Sequence, residues 1–435
     1  MLEQNTEEKR NRAVLVGLCA GSLLREDNAS DTTMEELADL VETAGGECVG
    51  MVLQNRDTPD ARTFIGEGKV AEVKALAEAQ EADLIVFDNE LSPSQQRVLT
   101  EDIGVQVLDR AGLILDIFAQ RARTREGRLQ VELAQYKYLL PRLTGMWGHL
   151  VRQTASGGKS PIGTRGPGET QLETDRRHIR RKIAKLSEDL EEVRRIRAVQ
   201  RDRREKNEVP VVAIVGYTNA GKSTLLNKLT DAGIPARNRL FDTLDTTTRT
   251  LEISDTCTVL ISDTVGFIRK LPHHLVEAFK ATLEELAYAD LILHVIDAAN
   301  PEWREQSEVV EKLIRQLGAE TTPRLDVFNK CDIYVGDIKP HGEDIVSISA
   351  KTGEGLDQLL EKIGKRLDTG FHRVVISLPY DKGGILEGLY RDAKVEKVEY
   401  ADTIEVTAVC SEKTVGQIEE YIIDGWTRPK EFWED

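Results

Sequence analysis

Short apolar runs separated by polar, helix-forming stretches fill the first hundred residues of the chain. AVLVGLC, ECVGMVL, ADLIVFD and VQVLD are each of strand length, and TMEELADLVETAG, VAEVKALAEAQ and SPSQQRVLTED lie between them. Parallel strands need a crossover, usually a helix, so this βαβαβαβ rhythm within residues 1–110 predicts a small parallel α/β domain. From Ala111 the strand signal stops. The pattern predicts a long helix to about Leu140, ended by Pro141, and a second long helix from near Thr170. In the second, Ile179, Ile183, Leu186, Leu190 and Val193 recur at spacings of 4, 3, 4 and 3, a heptad seam. Residues 111–207 are therefore expected to form two antiparallel helices, an arm carrying a Gly-rich basic tip loop at 146–170.

A new domain opens at 208 with EVPVVAIVG, a buried-strand run placed directly before a glycine turn. Alternating β and α signals continue through TVLISD, LILHVID and RLDVFN to about Leu367, which predicts a mostly parallel sheet with helices on both faces. In residues 368–435, RVVISLP, KGGILEGLYRDA, VEKVEY, DTIEVTAV and TVGQIEEYI predict a small α+β unit of βαββα order. No internal repeat or low-complexity segment interrupts this organisation.

Charge changes the picture in one place. The formal net charge is −17, which by itself argues against a nucleic-acid partner. Residues 111–206, however, hold 22 Lys+Arg against 12 Asp+Glu, a net of +10 that leaves −27 for the remainder. A basic segment on an acidic chain marks a polyanion-facing surface more often than a merely solvated one. The five cysteines, Cys19, Cys48, Cys257, Cys331 and Cys410, lie far apart with no CxxC pair, so neither a disulfide framework nor a zinc site is expected. No apolar run approaches the roughly 18 residues of a membrane span, and MLEQNTEEKRNR is too charged to begin a signal peptide. A cytoplasmic protein, monomeric and without a DNA partner, is the expectation.

Two glycine-rich stretches compete for the role of phosphate loop. SGGKSPIGTRGPGETQ in the arm has a lysine and serine but lacks a glycine five positions before Gly158, where Gln153 stands. GYTNAGKS, Gly216 to Ser223, satisfies the full G-x-x-x-x-G-K-[ST] pattern between a strand and a helix. Gly216 and Gly221 shape the turn, Lys222 reaches the β- and γ-phosphates, and the Ser223 hydroxyl ligates Mg²⁺. DTVG follows at Asp263, Thr264, Val265 and Gly266; Asp263 holds Mg²⁺ through water and the Gly266 N–H senses the γ-phosphate. NKCD selects the base. The Asp332 carboxylate accepts two hydrogen bonds from guanine, whereas adenine offers no donors there, and Asn329 and Lys330 belong to the same motif. SAK, Ser349, Ala350 and Lys351, presents backbone N–H groups to the guanine oxygen. Four motifs in this order at strand ends predict a guanine-nucleotide domain.

LFDTLDTTTRT lies between the first two motifs, where such domains keep a mobile switch. Thr243 is the leading candidate to close on Mg²⁺, with Thr246, Thr247 and Thr248 as rivals. Phe241, Asp242, Leu244 and Asp245 complete that part of the nucleotide contact set, as Tyr217, Thr218, Asn219 and Ala220 complete the loop. Lys222, Thr243 and Gly266 are the expected contributors to hydrolysis. A Ras-like enzyme orients the attacking water with a glutamine just after DxxG, but Phe267 and Ile268 follow Gly266. Slow intrinsic turnover, accelerated by a docked partner, is therefore expected. The Asn219 side chain can hold K⁺ beside the phosphates in place of an arginine finger, or serve loop geometry alone.

With these motifs in hand, FIGEGKVAEV, VFDNELSPSQQ, VLDRAGLILDIFAQRARTREGRLQVELAQYKYLLPRL, GTRGPGETQLETDRR and DTVGFIRKLP make the chain resemble the HflX family of GTPases, in the Obg-HflX branch of the translation-factor-related P-loop class, over roughly residues 13–365. Asp242 and Thr246 stand where family members carry a small residue and a proline. The resemblance implies a GTPase that binds the large ribosomal subunit in its GTP form and acts in dissociation or rescue of stalled ribosomes. It also implies that the arm tip reaches rRNA. Arg152, Lys159, Arg165, Arg176 and Arg177 would supply phosphate-seeking charge there, and Trp147 would stack on unpaired bases or pack at the helix end. Two rival readings remain at this point: a signalling-type GTPase with a protein effector, and ATP-dependent RNA remodelling through the N-terminal domain, whose FIGEGK has the look of a phosphate contact.

Overall fold

A computed structural model describes residues 11–146, 167–205, 209–230, 240–241, 247–254, 257–271, 284–336, 339–367, 371–400 and 403–425. The first unit has strands β1 (Arg12–Ala20), β2 (Glu47–Arg56), β3 (Leu84–Phe87) and β4 (Gln106–Asp109) in the order β2-β1-β3-β4, all parallel. Its helices α1 (Asp31–Thr43), α2 (Glu67–Ala79) and α3 (Pro93–Ile103) alternate with the strands, and α4 (Arg110–Arg121) follows. Ser30 and Ser92 each close a capping box, which fixes where α1 and α3 begin. Side-chain alternation along β1 sends Ala13 and Leu15 to the face covered by α1 and α4. Val14, Val16 and Leu18 point to the face covered by α2 and α3.

The helical stretch expected from Ala111 to Leu140 is two helices rather than one. Ala122 adopts an extended conformation (φ −62°, ψ 112°) after α4, and Thr124 Oγ1 then accepts the Gly127 N–H at 3.0 Å, starting α5 (Arg125–Met146). Pro141 lies inside α5 and does not end it, against the sequence expectation. Removing a backbone donor costs about 3 kcal/mol in a helix interior. Arg142 offsets part of that. Its guanidinium bonds the Tyr138 and Leu91 carbonyls, Gln96 Oε1 and Asp109 Oδ2, pinning the helix past the proline to the first unit.

α5 pairs with α6 (Pro167–Glu205), a helix of 39 residues. Glu126 meets Arg197 at 2.8 Å, and Tyr136 accepts a hydrogen bond from Lys182 at 2.7 Å, so later residues of α5 face earlier residues of α6 and the pair is antiparallel. Leu133, Leu186 and Leu190 are buried along the seam, with Leu129, Tyr136 and Ile183 beside them.

The central unit is a six-stranded sheet of β5 (Val211–Gly216), β6 (Thr247–Ser254), β7 (Cys257–Asp263), β8 (Leu291–Asp297), β9 (Arg324–Asn329) and β10 (Ile345–Ser347). Its order is β10-β9-β8-β5-β7-β6, parallel except for β6 against β7. Helices α7 (Lys222–Thr230), α8 (Trp303–Gln316) and α9 (Leu356–Arg366) cover its two faces. One of these faces is continuous with the first unit: Val215, Phe267, Val310 and Ile314 share a single apolar cluster with Leu37, Leu113 and Phe118.

The last unit has β11 (Phe371–Leu378), β12 (Lys394–Tyr400), β13 (Ile404–Ser411) and β14 (Ile422–Asp424) in an antiparallel sheet ordered β12-β13-β11-β14. Helices α10 (Gly383–Asp392) and α11 (Glu412–Ile418) accompany it over a core that includes Val374, Leu389, Val406 and Val415. No helix among the described residues is long and apolar enough to cross a membrane.

Candidate guanine-nucleotide site

The carboxyl ends of β5, β7, β8 and β9 converge on one cradle, as open α/β sheets arrange their ligand sites. Gly216 ends β5 at φ +155°, and a Cβ there would stand 2.2 Å from the Val295 carbonyl oxygen. Only glycine fits. Asn219 (φ +63°) and Gly221 (φ +95°) continue the turn into α7, which starts at Lys222 and so aims the N–H groups of its first turn at the cradle. Lys222 Nζ bonds the carbonyls of Gly216 (3.0 Å) and Tyr217 (2.7 Å). Burial pushes its ammonium down to about 8 although Asp263 works in the opposite direction; an anionic ligand placed beside it would restore the charged form. Ser223 Oγ donates to Asp263 Oδ2 at 2.9 Å. A hydroxyl and a buried carboxylate side by side are the hard oxygen donors that Mg²⁺ takes, so these residues fit that ion.

DTVG is laced onto the loop. Thr218 N donates to the Phe267 carbonyl at 2.7 Å, Phe267 N donates to the Gly216 carbonyl at 3.1 Å, and Thr264 Oγ1 donates to the Ile214 carbonyl at 2.7 Å. Gly266 packs so closely that a Cβ there would stand 2.9 Å from Thr218 Cγ2 and 3.1 Å from Lys222 Nζ. Val265 joins the apolar cluster.

The base-reading motifs close the other end. Asn329 Nδ2 donates to the Ala220 carbonyl (2.8 Å) and its Oδ1 accepts the Ala350 N–H (2.9 Å), tying the phosphate loop to SAK through one side chain. Asp332 Oδ1 accepts from Ser349 Oγ at 2.8 Å, which orients the carboxylate. Lys330, at φ +63°, sends its Nζ to Asp297 Oδ2 at 2.7 Å, while Lys351 is exposed. The motifs did not single out Asp297; the available signal was a carboxylate closing the apolar run LILHVID, and its pairing with Lys330 comes only from the fold.

Comparison with known proteins points to the same nucleotide class. A model described as 50S ribosome-binding GTPase matches residues 211–330. Models of a GTP-binding GTPase N-terminal region and middle region match 31–119 and 121–204, and an HflX C-terminal domain model matches 338–433. GTPase HflX of Caldanaerobacter subterraneus subsp. tengcongensis is 49% identical over 86% of this chain and 84% of its own length. GTPase HflX of Escherichia coli K12 is 44% identical over 84% and 86%. The chain belongs to the HflX family of GTPases. It is accordingly a GTP-binding hydrolase of a ribosome-binding family. The family match runs beyond the expected 13–365 and includes the C-terminal unit. Among solved structures, a GTP-binding protein from Sulfolobus solfataricus in complex with GDP is 25% identical, with a TM-score of 0.44, over 82% of this chain and 98% of that one.

In this HflX-family chain the phosphate loop is also wired to the N-terminal unit, which the motifs alone did not reveal. Tyr217 donates its phenolic hydrogen to Glu36 Oε1 at 2.5 Å and accepts the Arg269 N–H at 2.8 Å. Glu36 Oε2 meets Arg110 Nη2 at 2.5 Å, Arg110 Nη1 meets Asp88 Oδ1 at 2.7 Å, and Asp88 also pairs with Lys270. Burial works against the charge on Arg110, but Glu36 and Asp88 reverse that and hold its pKa above the ordinary arginine value. Burial pulls the Lys270 ammonium below its usual range despite Asp88. Asp88 and Arg110 sit at the carboxyl ends of β3 and β4, where an α/β sheet usually takes a ligand; here that crevice takes side chains from the chain itself. The signal was present as single charges set into apolar runs, in VFDNE, VLDRAG and GFIRK.

Other expected contacts are distributed more widely. Phe241, at φ +56°, is buried edge-on against Phe118 at a centroid distance of 4.7 Å. In FIGEGK, Gly66 caps α2 and donates to Gln54 Oε1 at 2.9 Å; a Cβ there would stand 2.8 Å from Arg56 Nη1. Arg176 is half-buried and Arg177 exposed on α6. Asp242, Thr243, Leu244, Asp245, Trp147, Arg152, Lys159 and Arg165 lie outside the described residues.

Proposed function

We propose that the chain is a cytoplasmic, GTP-gated factor that docks on the large ribosomal subunit in its GTP state. Its basic helical arm contacts rRNA, and the complex acts in dissociation or rescue of stalled ribosomes. The observation that supports the reading is the presence in one chain of a phosphate-loop cradle and a paired helical arm. The 39-residue α6 is long enough to reach about 60 Å from its start, and residues 111–206 carry a net charge of +10 on a chain of −17. Charge of that sign on a long helix pair suits a phosphate backbone.

Within the cradle, Asp332 reads guanine, Ser223, Asp263 and Thr243 are the Mg²⁺ residues, and Lys222 with the Gly266 N–H holds the terminal phosphate. Mg²⁺, when bound, neutralises charge between the β- and γ-phosphates. Hydrolysis is slow in the free protein and is accelerated by the docked ribosome, because the residues after Gly266 are apolar. Asn219 supplies a K⁺ ligand beside the phosphates; equal hydrolysis rates in K⁺ and Na⁺ would remove that element.

The deciding experiment is cosedimentation with separated ribosomal subunits in a GTP analogue, GDP, an ATP analogue and no nucleotide. Pelleting with the large subunit in the GTP analogue alone is expected, weakening steeply with salt. Equal pelleting in all four conditions overturns the reading. Arg165→Ala is expected to weaken that binding and leave GTP affinity unchanged.

A further inference from the structure

An attacking water in GTP hydrolysis needs a polar group to orient it. Phe267 and Ile268 offer none: both are 1% exposed and belong to the apolar cluster. Thr218 does. The residue is 6% exposed, and its Oγ1 is buried with no hydrogen-bond partner. A buried hydroxyl left unpaired costs about 1–3 kcal/mol, and such groups in native proteins call for a ligand or an ordered water that completes them. The neighbouring Thr264 has no such vacancy, because its hydroxyl is spent on the Ile214 carbonyl.

Position gives the orphan hydroxyl its meaning. Thr218 Cγ2 and Cα and Lys222 Nζ all lie within 2.9–3.1 Å of the point where a Cβ on Gly266 would stand. Lys222 and Gly266, whose expected partners are the β- and γ-phosphates, therefore meet beside Thr218, which turns its Cγ2 methyl and Cα toward them and carries Oγ1 on the same Cβ. The Thr218 N–H is already given to the Phe267 carbonyl, so the residue's remaining hydrogen-bond donor is its hydroxyl.

We infer that the Thr218 hydroxyl contacts the attacking water at the terminal phosphate, the orienting task a glutamine performs in Ras-like enzymes. The water oxygen bonds to the terminal phosphorus. The bond to the β,γ-bridging oxygen breaks, GDP leaves with that electron pair, and the water proton passes to the released phosphate. Thr218 accepts a hydrogen bond from the water and is unchanged at the end. The inference rests on the GTPase activity of the chain and is independent of ribosome docking.

The test uses the full chain with Thr218→Val, which keeps the branched shape and removes the hydroxyl, and Thr218→Ser, which restores it. Single-turnover GTP hydrolysis is measured together with affinities for GDP and a non-hydrolysable GTP analogue. Thr218→Val is expected to slow hydrolysis about 10- to 100-fold with both affinities held within about threefold of the unsubstituted protein, a factor worth under 1 kcal/mol. Thr218→Ser is expected to recover the rate to within the same factor. A valine variant that hydrolyses at the original rate overturns the inference. So does one that loses GDP affinity as steeply as rate, or a serine variant no faster than valine. Absence of hydrolysis in the unsubstituted protein would instead overturn the GTPase assignment itself.

Discussion

Tyr217 of the phosphate loop donates a hydrogen bond to Glu36, 181 residues earlier in the chain, at 2.5 Å. Through Glu36 the loop is joined to Arg110 and Asp88, and through Asp88 to Lys270, four residues after Gly266. Removing one member of a buried ion network leaves the others uncompensated, at a cost of about 3–5 kcal/mol. Arg110→Met is therefore expected to destabilise the protein by that amount, read as a shift in the urea midpoint. Tyr217→Phe removes one hydroxyl and leaves the Glu36 carboxylate with Arg110, so a smaller loss of about 1–3 kcal/mol is expected. An Arg110→Met protein as stable as the original would show that the network contributes nothing net.

Gly221 and Asn329 give the second prediction. A Cβ on Gly221 would stand 2.2 Å from Asn329 Nδ2, and the glycine holds φ +95°. The strained backbone alone costs about 1–3 kcal/mol for another residue. The clash displaces the side chain that ties the Ala220 carbonyl to the Ala350 N–H. Gly221→Ala is expected to weaken both GDP and GTP binding by at least about 100-fold while the C-terminal unit stays folded. Fluorescent-nucleotide titration reads the first and far-UV circular dichroism the second.

How much of this was legible in the sequence differs by element. The phosphate loop was, because its glycines answer a local need: Gly216 faces a carbonyl 2.2 Å from where a Cβ would be, and a strand must precede it. The N-terminal parallel sheet was also legible, since VLV and LIVF are buried on both faces of the sheet. The helix break at Ala122 was not, because one residue in an extended conformation changes no hydrophobic period. Pro141 misled for a tertiary reason: Arg142 anchors the helix to residues 33 to 51 positions away. The charges of the Glu36–Arg110–Asp88–Lys270 network were visible as Asp88, Arg110 and Lys270 set beside apolar runs, but their pairing was not, as the members are brought together only by the fold.

Base selectivity is a third point of test. Asp332 is oriented by Ser349 at 2.8 Å, so its carboxylate is held in place before any base arrives. Asp332→Ala removes the acceptor for two guanine donors, with an expected loss of about 1–3 kcal/mol, or 5- to 150-fold, in GTP affinity. Weak ATP binding is expected to stay where it was, so the GTP-to-ATP preference collapses by that same factor. Competition titration against a labelled guanine nucleotide measures it, and an unaltered preference would remove Asp332 from the reading.

The C-terminal unit carries its own reporter. Cys410 is fully buried on β13, and burial pushes its thiol up to about 11 from 9.0. An unfolded chain ionises this thiol at the lower value, so the thiol's contribution to stability is complete below about pH 9 and is lost as pH rises through 11. Two pH units correspond to about 3 kcal/mol. Alkylation of Cys410 is therefore expected to be negligible at pH 8, where Cys19 and Cys48, each only partly buried, react first. Between pH 9 and 11 its alkylation should rise more steeply than thiolate formation alone explains, because ionisation and opening of the β11–β13 core reinforce each other. Peptide mass spectrometry after timed labelling follows each cysteine separately, and early modification of Cys410 at pH 8 would refute its placement in that core.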